Sequence, residues 1–270
     1  MVFGDTCEWD ETIGKSAPYF FVKYTTMTIS KFASIAILCF SALAFVSCGD
    51  DDDDKENGTG NNVNNGKHEY VDLGLPSGTL WATCNIGANK PEEVGDYFAW
   101  GETKPKTGYN SDWSDYKWCN GSWDKLTKYC TWDKYGIVDN KMELEPEDDA
   151  ATANWGSDWC MPTMEQIEEL CNQEYTTDEV TTLNGVKGKM ITSKTNGNTI
   201  FLPVTTGIVD GELFDFGPDY IIGHFWSRSL NKRFEESKAY QLVFNEKKNL
   251  NCTGQYRRIG QTIRPVRAKK

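Results

Sequence analysis

From residue 68 onward, hydrophobic and polar positions alternate, break, and alternate again, and each rhythm predicts an element. Val71, Leu73 and Leu75 fall on every second position, as in a half-buried strand. Leu75-Pro76-Ser77-Gly78 then reads as a type I turn, with Pro at its second and Gly at its fourth position, before a second strand over 79–82. After Gly87 and Pro91, residues 96–100 read as a third strand. The period changes at Thr163. Met164, Ile167, Leu170 and Cys171 form a helical stripe, while Glu165, Glu168, Glu169 and Asn172 face away from it. Thr163 and Gln166 make a capping box at its start. A short helix over 147–154, with Pro146 in its first turn, precedes it. Beyond it, 186–193 and 198–202 read as strands joined at Asn196-Gly197, a tight-turn pair. Further strands are expected over 224–229, 239–244 and 262–266. Strands, two helices, then strands is an α+β plan.

Two stretches lack this rhythm. Residues 101–136 carry Tyr109, Trp113, Tyr116, Trp118, Trp123, Tyr129, Trp132 and Tyr135 with no period, which predicts a long irregular loop. The first 66 residues show no core pattern at all. Residues 27–47 combine a polar start containing Lys31 with an apolar run too short to span a bilayer, which reads as a signal peptide. Residues 1–26 carry Asp5, Glu8, Asp10 and Glu11, the wrong charges for a signal n-region, and translation is expected to begin at Met27. Five consecutive acids, Asp50 to Asp54, open a Gly/Asn-rich stretch, so 48–66 reads as a flexible tether. Residues 67–270 are long enough for one domain with its own core.

Charge narrows the partners. A formal net charge of -12 argues against nucleic acid, which requires a basic footprint. Arg257, Arg258, Arg264, Arg267, Lys269 and Lys270 concentrate positive charge near the C-terminus and are expected mainly at outward-facing strand positions and in a tail. Six cysteines belong to the domain: Cys84, Cys119, Cys130, Cys160, Cys171 and Cys252. They allow fifteen disulfide pairings, or none, and no Cys-x-x-Cys suggests zinc or dithiol redox chemistry.

Candidate chemistry is sparse for an enzyme. The two histidines, His68 and His224, stand in no nucleophile or metal motif. For binding, Trp100, Glu102, Tyr109, Trp113, Tyr116, Trp118 and Trp123 interleave aromatic faces with polar groups, a pattern suited to stacking sugar rings while reading hydroxyls. The same rings could instead pack the loop onto the domain. Glu145, Glu147, Asp148, Asp149 and Asn154 offer hard oxygen ligands for calcium, with Glu147, Asp148 and Asp149 central. Their alternative role is to cap and solvate the short helix.

Several segments resemble one family in order along the chain: Val71-Asp72-Leu73-Gly74-Leu75-Pro76-Ser77-Gly78-Thr79-Leu80-Trp81-Ala82, Tyr97-Phe98-Ala99-Trp100-Gly101-Glu102, Glu147-Asp148-Asp149-Ala150-Ala151 and Trp159-Cys160-Met161-Pro162-Thr163. Gly185-Val186-Lys187-Gly188, Ile200-Phe201-Leu202-Pro203, Phe225-Trp226-Ser227-Arg228-Ser229 and Ile263-Arg264-Pro265-Val266-Arg267 continue the series. Together they resemble the Fibrobacter succinogenes major paralogous domain of exported lipoproteins, distantly related to formylglycine-generating sulfatase-modifying domains. The resemblance implies a C-type-lectin-like α+β domain with twisted antiparallel sheets, two short helices and a long aromatic loop. Such domains often bind calcium, which makes calcium the candidate cofactor, though none is required. Ser47-Cys48 after an apolar run resembles a lipobox, implying lipidation at Cys48 and a membrane anchor. In Bacteroidota lipoproteins an acidic run after that cysteine resembles the signal for the outer face of the outer membrane. The formylglycine-generating relatives use a close cysteine pair late in the domain, where this chain has Cys252 alone. The expectation is therefore a non-catalytic surface lipoprotein binding extracellular glycan or protein through its aromatic loop. A structural or adhesive component of a surface assembly is the alternative, and an extracellular hydrolase or modifying enzyme the third.

Overall fold

The first hairpin forms as its pattern predicts. β1 (Tyr70–Asp72) pairs antiparallel with β2 (Thr79–Ala82), and the turn between them closes through Gly78 N–H to Leu75 O at 2.9 Å. The computed structural model describes residues 68–214, 220–231, 236–246 and 250–268. The expected signal peptide, Cys48 and the acidic tether lie outside the described residues, as do Lys269 and Lys270.

Both helices start where a side chain can hold their free amides. α1 (Ala150–Trp155) is capped by Asp149, whose carboxylate accepts from the amides of Ala151 and Thr152 at 2.9 and 3.0 Å. It therefore begins later than expected, with Pro146 outside it, because the buried Asp149 carboxylate takes the cap position. α2 (Met164–Cys171) has the expected capping box: Thr163 Oγ1 accepts from Gln166 N at 3.2 Å, and Gln166 Oε1 accepts from Thr163 N at 2.9 Å.

Apart from one 3-10 turn at Asp133–Tyr135 in the long loop, the remaining described elements are strands: β3 (Thr176–Leu183), β4 (Val186–Ser193), β5 (Thr199–Pro203), β6 (Ile208–Val209), β7 (Glu212–Leu213), β8 (Ile222–Leu230), β9 (Lys238–Asn245), β10 (Asn251–Tyr256) and β11 (Val266–Ala268). They form antiparallel sheets in the orders β1-β2-β11, β3-β4-β5, β8-β9-β10 and β6-β7. The described residues are thus mostly sheet with few helices.

Several expectations are corrected. Residues 96–100 contribute only the bridge Phe98↔Gln261, because Gly95 and Gly101 turn the chain at positive φ on either side. Residues 262–266 do not run as one strand; Thr262 bridges Phe225, and Pro265, which has no N–H, separates it from β11. β3, β6, β7 and β10 lie outside the expected strands, since β3 and β10 do not alternate cleanly between apolar and polar residues and β6 and β7 are two residues each. The tight two-residue turn is Asn184-Gly185, with φ of 48° and 87°, while Asn196-Gly197 ends a longer loop in which only Gly197 takes positive φ.

Among the described residues, three clusters make up the core. The first joins Val71, Trp81 and Val266 to Ile167 and Leu170 of α2, to Ile191, Ile200 and Leu202, and to Phe225, Leu242 and Phe244. The second centres on Phe98, Trp100, Met161, Trp226 and Ile263. The third lies within the long loop, where Tyr109, Trp113, Tyr116, Leu126 and Tyr135 pack on Ala99.

The C-terminal arginines are the largest correction. Arg257, Arg264 and Arg267 are buried rather than outward-facing. Arg264 donates to Asn85 Oδ1 at 2.7 Å and to the carbonyls of Thr83 and Ala82 at 2.7 and 3.1 Å. Burial pulls its pKa down to about 10, so it stays charged at neutral pH. Arg257 reaches the carbonyls of Tyr129, Lys128 and Glu236 and lies over the Trp100 ring. These forks tie irregular backbone to the sheets, a use that five fixed donors permit.

Candidate functional site

The aromatic loop is irregular but held at many points. Leu126 N–H donates to Tyr135 O at 2.7 Å and Ile137 N–H to Leu126 O at 2.8 Å, drawing 126 and 136 together. Carboxylates substitute for a ladder elsewhere. Asp115 accepts from the amides of Tyr109 and Asn110, both at 2.8 Å, and Asp139 accepts from those of Tyr129 and Cys130 at 2.9 and 3.0 Å. Glu236 receives Thr131 N–H at 2.8 Å, anchoring the loop to the turn before β9. Backbone amides held this way are satisfied without secondary structure.

The structure divides the seven residues that the sequence groups as ligand-binding. Trp100, Tyr109, Trp113 and Tyr116 are buried, so their faces are not available to a ligand from solvent. Their polar tips are engaged: Trp100 Nε1 donates to Ser227 O at 2.8 Å, Tyr116 Oη to Trp100 O at 2.9 Å, and Tyr109 Oη to Tyr97 O. Glu102 accepts from Lys117 N at 2.9 Å and pairs with Lys106 at 3.0 Å. Trp118 is half-buried, its Nε1 on Gly101 O at 2.8 Å, with the Lys117 and Lys128 ammoniums 4.1 and 4.9 Å from its ring centre.

Trp123 is different, being 41% exposed. Trp132, which the grouping omitted, is 54% exposed. Their ring centres lie 5.7 and 5.5 Å from that of the buried Tyr135, so the three rings form one cluster with two indoles presented to solvent. Lys134 sits over Trp132 and Tyr135, and Ile137 and Val138 are exposed just beyond in the chain. The aromatic density signalled the loop. Which indoles stay outside follows from the 126–136 closure, which no local pattern announces.

The expected calcium acids lie close to the same loop, but their oxygens already have partners. Asp148 is nearly fully buried and holds Lys128 at 2.6 Å, Lys117 at 3.2 Å and Tyr129 Oη at 2.7 Å. Burial alone would raise its carboxyl; these three partners outweigh it and hold the group below the ordinary range. Asp149 accepts from Met161 N at 2.9 Å as well as from the α1 amides. Glu147 is exposed, 3.9 Å from Lys128. Glu145 pairs with Lys128 at 2.5 Å and Lys141 at 2.6 Å, which lower its carboxyl to about 2. Two ammoniums on Asp148 and backbone amides on Asp149 do not fit a hard dication, and among the described residues no group of three or more His, Cys, Asp or Glu is placed to hold a metal.

The histidines occupy structural positions. His68 stacks on Trp155 with ring centres 3.8 Å apart. It lines a 260 Å³ hollow with Cys84, yet burial pushes that thiol up, opposite to an activated nucleophile. His224 is buried, with Nδ1 3.0 Å from Gln241 Oε1, and burial lowers its pKa so that it is neutral at pH 7. Among the described residues no helix is long and apolar enough to cross a membrane. Comparisons with protein-family models, curated proteins and solved structures found no match.

Proposed function

We propose that this chain is a non-catalytic binding protein that takes extracellular glycan or protein through the tip of its aromatic loop. The observation that carries the reading is the exposure of Trp123 and Trp132, both beside Tyr135, in a loop whose other large rings are mostly buried. Exposed indoles locked by packing lose little conformational entropy on binding and present flat apolar faces on which the C–H face of a sugar ring stacks. In this reading the domain is C-type-lectin-like, of the Fibrobacter succinogenes major paralogous type, and a lipid on Cys48 anchors it at the cell surface through the acidic tether. The mixture of antiparallel sheets, two short helices and a long irregular loop supports that assignment. The site works without calcium.

Screening the whole chain against extracellular polysaccharides, with calcium and with chelator, tests this. The parent should bind a glycan equally in both, and Trp132→Ala and Trp123→Ala should each weaken that binding at least about tenfold, the scale of one lost stacking anchor. Binding unchanged in both variants would remove the site from the loop tip. A second reading, an adhesive or structural component of a surface assembly, is favoured by Ile137 and Val138, exposed at 62% and 42%. Aliphatic groups suit a protein surface better than a sugar, and co-purification with a fixed partner that Ile137→Ser abolishes would select it.

A further inference from the structure

Two thiols in the first core have no part in the proposed binding surface. Cys171 ends α2 and Cys252 is the second residue of β10. In the antiparallel ladder Cys252 stands opposite Leu242, and directly opposed residues share a face, so its side chain points with Leu242 into the core beneath α2. The next pair confirms the alternation: Gln241 and Thr253 meet on the other face, Nε2 to Oγ1 at 3.1 Å. α2 lies on the Leu242 face, packing Ile167 and Leu170 into the same cluster, and Cα atoms of α2 and β10 approach within 8 Å. Cys171 and Cys252 both pack against that cluster.

The other four thiols have other neighbours. Cys119 Sγ donates to Trp113 O at 3.3 Å and Cys130 Sγ to Trp132 O at 3.2 Å, both inside the aromatic loop. Cys84 lies beside Thr83, and Cys160 beside Arg228. Burial raises both Cys171 and Cys252, the latter to about 12, and a charge on Cys252 disfavours one on Cys171, as expected of neighbours.

We propose that Cys171 and Cys252 are a disulfide pair that staples the end of α2 to β10. Two S–H bonds break and one S–S bond forms; two electrons and two protons pass to a small-molecule disulfide such as oxidised glutathione, which becomes two thiols. The bond closes residues 171–252 into one loop, which includes β3 to β9, and so restricts the unfolded chain. Thiolates are disfavoured on both sides, so the bond forms most readily before the core closes and exchanges slowly afterwards.

The proposal does not depend on the binding function. Folded full-length chain, and chain refolded from denaturant, are held with oxidised glutathione, alkylated and cleaved after glutamate without reduction. This cleavage puts Cys171 on the peptide 170–174 and Cys252 on one starting after Glu246, both apart from Cys160. The expected product is the two peptides joined, with Cys119 and Cys130 alkylated. Adding reductant should lower the melting midpoint of the oxidised parent by about 10 °C and leave Cys171→Ser unchanged. Cys171 and Cys252 alkylated in both samples, or either joined to another cysteine, would overturn the proposal.

Discussion

The identity of a residue in the aromatic loop says less than its depth. Trp113 and Trp132 are both loop tryptophans near other rings, but Trp113 is buried edge-to-face against Tyr116 and Tyr256 at 5.5 and 6.2 Å, while Trp132 is half exposed beside Tyr135. Trp113→Ala should cost about 3–5 kcal/mol in chemical denaturation, the range for emptying a large aromatic site. Trp132→Ala should cost only about 1 kcal/mol, the scale of its edge contact with Tyr135, while losing ligand. Equal losses of stability in the two variants would contradict this division. Sequence could locate the aromatic stretch but not sort it, because a loop without a period has no inside face to read. The burial of the arginines is hidden from the sequence for a related reason. Arg264 in a strand-like run looks solvent-facing, and nothing local shows that the carbonyls of Ala82 and Thr83, nearly the whole domain earlier in the chain, will receive it.

Elements were legible where the signal is local. The α2 start could be read from Thr163 and Gln166 because a capping box lies within four residues. The β3–β4 hairpin is not legible in the pattern, although Asn184-Gly185 is as strong a turn pair as Asn196-Gly197. The run Thr176–Leu183 alternates among polar residues and gives no apolar face to anchor the reading. The loop has its own decisive element at Gly136, where φ is 148° and a Cβ would lie 2.1 Å from Leu126 O. Gly136→Ala therefore forces 126 and 136 apart and splays Trp123 from Trp132. It should cost about 3 kcal/mol and abolish ligand binding. Gly121→Ala serves as the comparison, since its φ is 71° but nothing lies within 4 Å; it should cost about 1 kcal/mol and leave binding intact. Similar binding losses in the two variants would show that the loop tip does not depend on this closure.

At the scale of the whole molecule, β2 sits between β1 and β11, so the first and last described strands close one sheet, a pairing across the domain that no spacing in the sequence announces. The acidic balance was legible at once, but not its distribution. A net charge of -12 suggests a solvated acidic surface, whereas Asp148 lies buried between Lys117, Lys128 and Tyr129, and Glu145 bridges Lys128 and Lys141. Both carboxyls titrate lower in the folded chain than their ordinary values of 3.8 and 4.5, so over that interval the unfolded chain binds more protons. Stability from these groups is therefore complete above about pH 5 and is lost as pH falls through their depressed values. Asp148→Asn removes one titrating group and leaves the Lys128 ammonium without its buried counter-charge. At pH 7 it should lie about 3 kcal/mol below the parent, the scale of breaking a buried pair. Toward pH 2 the parent falls faster, because only it must protonate Asp148, and the two should converge. Denaturant unfolding of both chains at pH 7, 4 and 2.5 measures the gap; a gap constant across that range would mean that Asp148 carries no charge-dependent share of the stability.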